Sequence, residues 1–154
     1  MNVKETARKQ YVRNVDRAAQ QLANLAVPSE GWLVLLRKAL GMSGADVAKR
    51  MGVTRNAVYQ AERNELDGAI TLKQMEKLAE ALGGRFVYAI VPEGRVESVI
   101  KAQAWRKAEA RIRRASAHMA LEAQSLPKQQ TRQKIEELAA ELMRDMPSDF
   151  WALS

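Results

Sequence analysis

The side chains best suited to recognise another molecule lie close together, between residues 54 and 63. This stretch holds a hydroxyl, two guanidinium groups, two carboxamides and a phenol, supplied by Thr54, Arg55, Asn56, Tyr59, Gln60 and Arg63. On an α-helix, steps of three and four residues, such as those from Arg55 to Tyr59 and from Tyr59 to Arg63, bring side chains to one side. Their donors and acceptors match those on base-pair edges in the major groove of DNA. Without a motif around them, Arg55, Gln60 and Arg63 would be better interpreted as an ordinary solvated helix face.

The residues around this polar side follow the pattern of a helix-turn-helix, in which two short helices cross steeply at a tight turn. The crossing needs a small residue where the helices touch, a glycine at the turn and an apolar residue directly after it. Ala48, Gly52 and Val53 meet these three needs. The apolar anchors of the second helix are Val58 and Ala61. The pattern therefore predicts a helix-turn-helix over residues 43–64.

Several short runs carry a family resemblance. The runs at 41–43, 47–55, 62–63 and 78–83 resemble the lambda-repressor-like (XRE-type) helix-turn-helix family. Four further runs, at 31–33, 68–72, 86–92 and 118–124, are similar to the family called mobile mystery protein A, and this closer resemblance covers most of the chain. Members of that family are typically encoded beside a Fic-domain partner on mobile elements.

The resemblance implies a role for each polar residue. Arg55, Asn56 and Tyr59 would face bases, and geometry allows Arg55 two hydrogen bonds to guanine and Asn56 two to adenine. DNA phosphates would be held by Ser43, Thr54, Gln60 and Arg63. Glu62 is expected to brace the unit internally.

One position departs from the XRE-type pattern. Many members carry a glutamine at the second position of the first helix, where it braces the recognition helix and touches the DNA backbone. This chain has Gly44 there. We therefore expect that contact to be lost or supplied by another group.

The sequence offers few groups for catalysis. Its single histidine, His118, lies in a helical stretch, and there is no cysteine. Glu136 and Glu137 are adjacent on a helix and so point in different directions. No glycine-rich phosphate loop of the Walker or dinucleotide type occurs. We expect no enzymatic activity, no cofactor and no metal site.

Composition points to a polyanionic partner. The formal net charge is +7 and the isoelectric point about 9.9, which favours double-stranded DNA among partners. A further basic face, which either follows a phosphate backbone or is simply solvated, comprises Lys101, Arg106, Lys107, Arg111, Arg113 and Arg114. No apolar run is long enough to cross a membrane, and the first residues have no apolar signal-peptide core. We expect a cytoplasmic location and no membrane partner.

The remaining pattern predicts an all-α fold, a lambda-repressor-like bundle with helical extensions and one short strand. Its parts are an N-terminal amphipathic helix (1–27), the helix-turn-helix domain (29–84), a strand (85–92) and a C-terminal helical extension (95–154). We expect Ser29 to cap the first helix of the domain. An alanine-rich stripe is expected to pack on another helix. It consists of Trp105, Ile112 and Met119, seven residues apart, with Ala108 and Ala115 between them. The apolar end, from Phe150, is expected to fill a groove.

The strand is apolar on both faces, and no second strand is evident in the sequence. An unpaired strand leaves backbone N–H and C=O groups without partners. We therefore expect residues 85–92 to pair with another copy, giving a homodimer, or with another protein. The alternative is a short extended segment that lies against the core.

Together these observations predict a homodimeric, autoregulatory transcriptional regulator of a mobile-element operon. Two recognition helices would enter successive major grooves, about 34 Å apart, on an inverted repeat. The alternative is an antitoxin-like module that binds a Fic-domain partner, because the flanking helices exceed what DNA reading needs. The inhibitory signature of known Fic antitoxins, Ser or Thr followed four residues later by Glu and then Gly or Asn, does not occur. Its nearest match, from Ala26 to Gly31, lacks the hydroxyl.

Overall fold

A computed structural model describes residues 3–121 and 127–153 of the chain. Within these residues it has seven α-helices and no β-strand, which confirms the all-α class. The helices are α1 (Val3–Leu22), α2 (Trp32–Ala39), α3 (Gly44–Met51), α4 (Arg55–Asp67), α5 (Leu72–Ala81), α6 (Val96–Leu121) and α7 (Lys128–Asp145). They fall into two compact units, Asn24–Ala89 on the one hand and Met1–Ala23 with Ile90–Ser154 on the other.

The unit Asn24–Ala89 places α2, α3, α4 and α5 around one apolar core. Its buried side chains are Leu33, Val47, Ala48, Val58, Met75, Leu78 and Leu82. Burying each large aliphatic side chain contributes about 1.5–3 kcal/mol. Each of these four helices supplies at least one of these residues. The core therefore holds α3 and α4 by their apolar sides and leaves their polar sides outside.

An ion pair between a partly buried arginine and a buried glutamate ties α2 to α4. The Nε and Nη2 groups of Arg37 donate to the two carboxylate oxygens of Glu62 at 2.7 and 3.2 Å. Nη1 donates to the Met42 carbonyl at 3.2 Å. The hydrogen bond to Glu62 raises the pKa of Arg37 above its usual value, so the guanidinium group stays charged. The expectation that Glu62 braces the unit is confirmed.

A second carboxylate caps α2. The two oxygens of Glu65 accept hydrogen bonds from the backbone N–H groups of Trp32 and Leu33, at 2.7 and 2.9 Å. Gly31 precedes them with φ of 91°, and a Cβ there would lie 2.9 Å from the nearer Glu65 oxygen. The prediction that Ser29 caps this helix is wrong, because a residue from α4 supplies the cap and the helix begins later.

The other unit rests on the packing of α6 against α7. Ala104 and Ala108 are fully buried, so the two helices approach closely. Their neighbours in this core are Ile135, Ala139, Leu142 and Phe150. Trp105 and Ile112 pack at its edge, so the predicted packing on another helix is confirmed for the first part of the alanine-rich stripe. Ala115 is exposed, and the side chain of Met119 lies outside the described residues. Phe150 fills the groove as expected, whereas Trp151 and Leu153 are exposed.

Long-range polar contacts hold the ends of this unit. The Asp16 carboxylate, on α1, accepts a hydrogen bond from the Val96 N–H at 2.9 Å and so caps α6. The buried side chain of Gln103 donates to the Phe150 carbonyl at 2.8 Å. The helix predicted within residues 1–27 ends at Leu22.

Residues 85–92 form no strand within the chain, so that prediction is wrong for a single copy. A strand exists only where a neighbouring strand accepts its backbone hydrogen bonds, and the described part of the chain supplies none. Phe86 does pack against the core of the unit Asn24–Ala89. The residues that follow it, Val87, Tyr88 and Ile90, are exposed.

Replacing Glu62 by alanine should lower the free energy of unfolding by about 3–5 kcal/mol, because Arg37 would remain partly buried and charged without its partner. Urea denaturation followed by far-UV circular dichroism measures this. Glu76→Ala, at an exposed position on α5, is the matched control and should change stability by less than about 0.5 kcal/mol. Equal effects of the two substitutions would show that the ion pair is not a brace.

Candidate nucleic-acid interface

The two helices of the predicted motif are joined by a three-residue turn. Gly52 ends α3 in the left-handed conformation, with φ of 69°, and the Val53 N–H donates back to the Ala48 carbonyl at 3.0 Å. Thr54 then caps α4, where its hydroxyl oxygen accepts a hydrogen bond from the Ala57 N–H at 3.1 Å. The local sequence therefore sets both the end of α3 and the start of α4.

The start of α3 is fixed by a capping box. The Ser43 hydroxyl accepts a hydrogen bond from the Asp46 N–H at 3.1 Å, and the Asp46 carboxylate accepts one from the Ser43 N–H at 2.7 Å. The hydrogen bond that the Ser43 backbone N–H donates to this carboxylate is the largest of the effects that lower the pKa of Asp46. Ser43 remains exposed and can reach an anion beside the helix N-terminus.

Burial separates the two sides of α4. Val58 and Glu62 are buried and face the core of the unit. Arg55 and Asn56, in the first turn, are exposed, and neither forms a hydrogen bond or ion pair with any other described residue. Ala57, which follows them, is exposed as well. The first turn of α4 thus presents two side chains whose hydrogen-bonding groups are open to a partner.

Further along α4 the polar side chains are linked to one another. An Arg63 Nη2 group donates to the Gln60 carboxamide oxygen at 2.9 Å, and the Gln60 nitrogen donates to the Asn64 oxygen at 2.9 Å. Arg63 and Gln60 are exposed. The chain of hydrogen bonds holds the guanidinium group along the helix surface, where its remaining N–H groups can donate outward.

Tyr59 is the exception on this side, because its ring is half-buried against α3. A Cβ at Gly44 would lie 2.5–2.7 Å from three atoms of that ring, so any other residue at 44 would displace the tyrosine. The Arg37 guanidinium lies 5.7 Å from the ring centroid, at cation–π distance. The ring thus occupies the space that opens above Gly44, which accounts for the departure from the glutamine pattern at this position.

Sequence reasoning missed two residues that position this surface. Arg37 holds Glu62 and lies beside Tyr59, but in the sequence it looks like one more basic residue on a helix. Glu65 holds the start of α2, and no local pattern marks a capping residue so far along the chain. The sequence shows only that basic and acidic residues occur on both helices, which does not identify Arg37 and Glu62 as a pair.

Residues 33–88, a little over a third of the chain, match the family model described as helix-turn-helix. No curated protein and no solved structure matched the chain. The matched segment, which includes most of α2 and all of α3, α4 and α5, is therefore similar to helix-turn-helix domains.

The described residues lack a candidate metal site and a membrane-spanning helix. No group of three or more His, Cys, Asp or Glu side chains among them is arranged to hold a metal ion. None of the helices described here combines the length and the apolar character that crossing a membrane requires. His118 is exposed near the end of α6.

The fit between Gly44 and Tyr59 can be tested by a double-mutant cycle. Gly44→Ala should cost about 1–3 kcal/mol of unfolding free energy, because the new methyl group clashes with the ring. In a Tyr59→Ala background the clash is gone, so most of that cost should disappear. The four unfolding free energies come from urea denaturation. Strictly additive costs would show that the ring does not occupy the space above Gly44.

Proposed function

We propose that the protein is a sequence-specific transcriptional regulator that inserts α4 into the major groove of DNA. The observation that carries this proposal is the pair of exposed, unpartnered side chains, Arg55 and Asn56, in the first turn of α4. In helix-turn-helix proteins the N-terminal residues of the second helix contact base edges. Within the first turn of this helix, these two have the hydrogen-bonding groups that read guanine and adenine.

The other polar residues fit contacts to the DNA backbone. Ser43 and Thr54 are exposed at the starts of α3 and α4, where helix N-termini favour anions. Gln60 and Arg63 lie farther along α4 and are held to each other. Tyr59 contributes mainly by supporting α4 on α3, since its ring packs over Gly44. Its hydroxyl would contact DNA only at the edge of the interface.

Two copies on an inverted repeat form the working unit in this proposal. A single domain presents one recognition helix, which spans few base pairs, whereas two helices about 34 Å apart read successive turns of one face of the duplex. The net charge of +7 supports a large phosphate contribution, so affinity should fall steeply with salt. The resemblance to mobile mystery protein A adds autoregulation of a mobile-element operon to the proposal.

A second candidate role is that of an antitoxin-like module for a Fic-domain partner. It is favoured by the exposed aromatic and aliphatic side chains after α7, where Trp151 is 53% and Leu153 fully exposed. Such side chains are frequent in protein interfaces. This role and DNA binding use different units of the chain, so both can hold. Co-purification with the product of a neighbouring gene supports it, and a clean failure to co-purify counts against it.

Arg55→Ala should relax base preference at one position of the bound site and cost about 1–3 kcal/mol in affinity for the preferred site. Selection of duplexes from a random pool at physiological salt, run on both proteins, measures this. Lys77→Ala, which removes an equal charge from an exposed position on α5, is the control and should leave the selected sequence unchanged. An equal loss on every sequence would show that Arg55 contacts phosphate instead of a base.

A further inference from the structure

Residues 85–92 expose backbone polar groups and apolar side chains together. None of their N–H or C=O groups has a hydrogen-bond partner among the described residues. Val87 is 69% exposed, Tyr88 66% and Ile90 91%. Unpaired backbone groups beside apolar side chains form a template for pairing with another chain. Pairing with another chain would therefore bury these side chains and supply partners for these backbone groups.

The segment already shows the alternation of a strand. The rings of Phe86 and Tyr88, two residues apart, stack with their centroids 5.6 Å apart and their planes inclined by 23°. Side chains at positions i and i+2 share a face when the backbone is extended. Little rearrangement is needed for this backbone to join a sheet.

We propose that residues 85–93 of two copies pair as antiparallel strands about a two-fold axis at Ala89. Such an axis keeps each residue on the same face of the two-stranded ribbon in both copies. Odd-numbered residues must therefore pair with odd-numbered residues, and even-numbered with even-numbered. Centred on Ala89, the pairing puts Val87 opposite Val91 and Tyr88 opposite Ile90 of the second copy. At the ends it puts Arg85 opposite Glu93. Both apolar faces are then matched and the flanking charges are complementary.

Neighbouring registers fit less well. A centre at Tyr88 would place Arg85 opposite Val91, and the ion pair would be lost. A centre at Ile90 would place Arg85 opposite position 95, which follows the bend at Glu93 and Gly94, so Arg85 would again lose its acidic partner. The charges at the two ends therefore select the register centred on Ala89.

Proline 92 also suits this register. Antiparallel partners alternate between hydrogen-bonded and non-hydrogen-bonded pairs. If Ala89 forms a hydrogen-bonded pair with its own copy, Pro92 falls in a non-hydrogen-bonded pair opposite Phe86. At that position the backbone N–H would point away from the second copy, so its absence in Pro92 removes no hydrogen bond between the strands. A small residue at the centre lets the two backbones meet without a side-chain clash.

The charge complementarity and the self-matching apolar faces favour a second copy of this chain over a different protein as the occupant. The pairing adds to the proposed function the surface that would bring two copies of α4 together. Its role in DNA binding rests on the proposed function, whereas the pairing itself does not. The pairing itself can be measured without DNA.

Because the chain has no cysteine, single-cysteine variants report the register. Ala89→Cys places two thiols on Cα atoms about 5.5 Å apart, within the roughly 4.4–6.8 Å range of disulfides. Treatment with diamide should therefore give a covalent dimer. Val87→Cys is the matched control, because its two copies would lie four residues out of register, roughly 14 Å apart along the ribbon. It should remain uncross-linked, whereas Val87→Cys with Val91→Cys should cross-link.

Sedimentation without DNA gives a second readout. Ile90→Asp should weaken the dimer at least tenfold, while Leu66→Asp, at an exposed position on α4, should not. A monomer at all concentrations, or a dimer that does not cross-link at position 89, overturns the pairing. A monomer that still selects a half-site overturns the pairing alone. A chain that cross-links at 89 but selects no duplex sequence supports the pairing and contradicts the proposed function.

Discussion

The guanidinium group of Arg37 connects the elements that position the polar side of α4. It donates to both oxygens of Glu62 on α4 and to the Met42 carbonyl just before α3, and it lies beside the ring of Tyr59. One partly buried cation therefore fixes α2, the entry to α3 and the inner side of α4 together. Its desolvation is tolerated only because each hydrogen bond has a charged or strongly polar acceptor. The orientation of the outer side of α4 follows from that arrangement.

The division of labour along α4 follows from helical periodicity. Val58 and Glu62 turn inward and stabilise the unit, while Arg55 and Asn56 stand outward at the first turn with no partner of their own. Tyr59 lies between the two sides and braces α4 on Gly44. A side chain that is held by its neighbours is preorganised, whereas one with open donors can adapt to a base edge. Both kinds are needed in a surface that reads DNA.

Local rules made part of this structure predictable. Gly52, Thr54 and Ser43 mark helix ends by their own conformational preferences and side-chain acceptors, and the structure places them as expected. The cap of α2 by Glu65 was out of reach, because that residue and the helix it caps are distant in sequence. The fit of Tyr59 over Gly44 was missed for the same reason. The strand at residues 85–92 failed because apolar alternation shows how a segment could pair and does not supply the partner.

The central claim is that the outer side of α4 contacts DNA. Chemical-shift mapping of the isotope-labelled chain, titrated with a duplex carrying its selected site at physiological salt, tests it most directly. We expect the largest changes on the backbone and side-chain N–H groups from Thr54 to Arg63 and on the start of α3 at Ser43. Changes confined to α6 and α7, with the first turn of α4 unaffected, would contradict it.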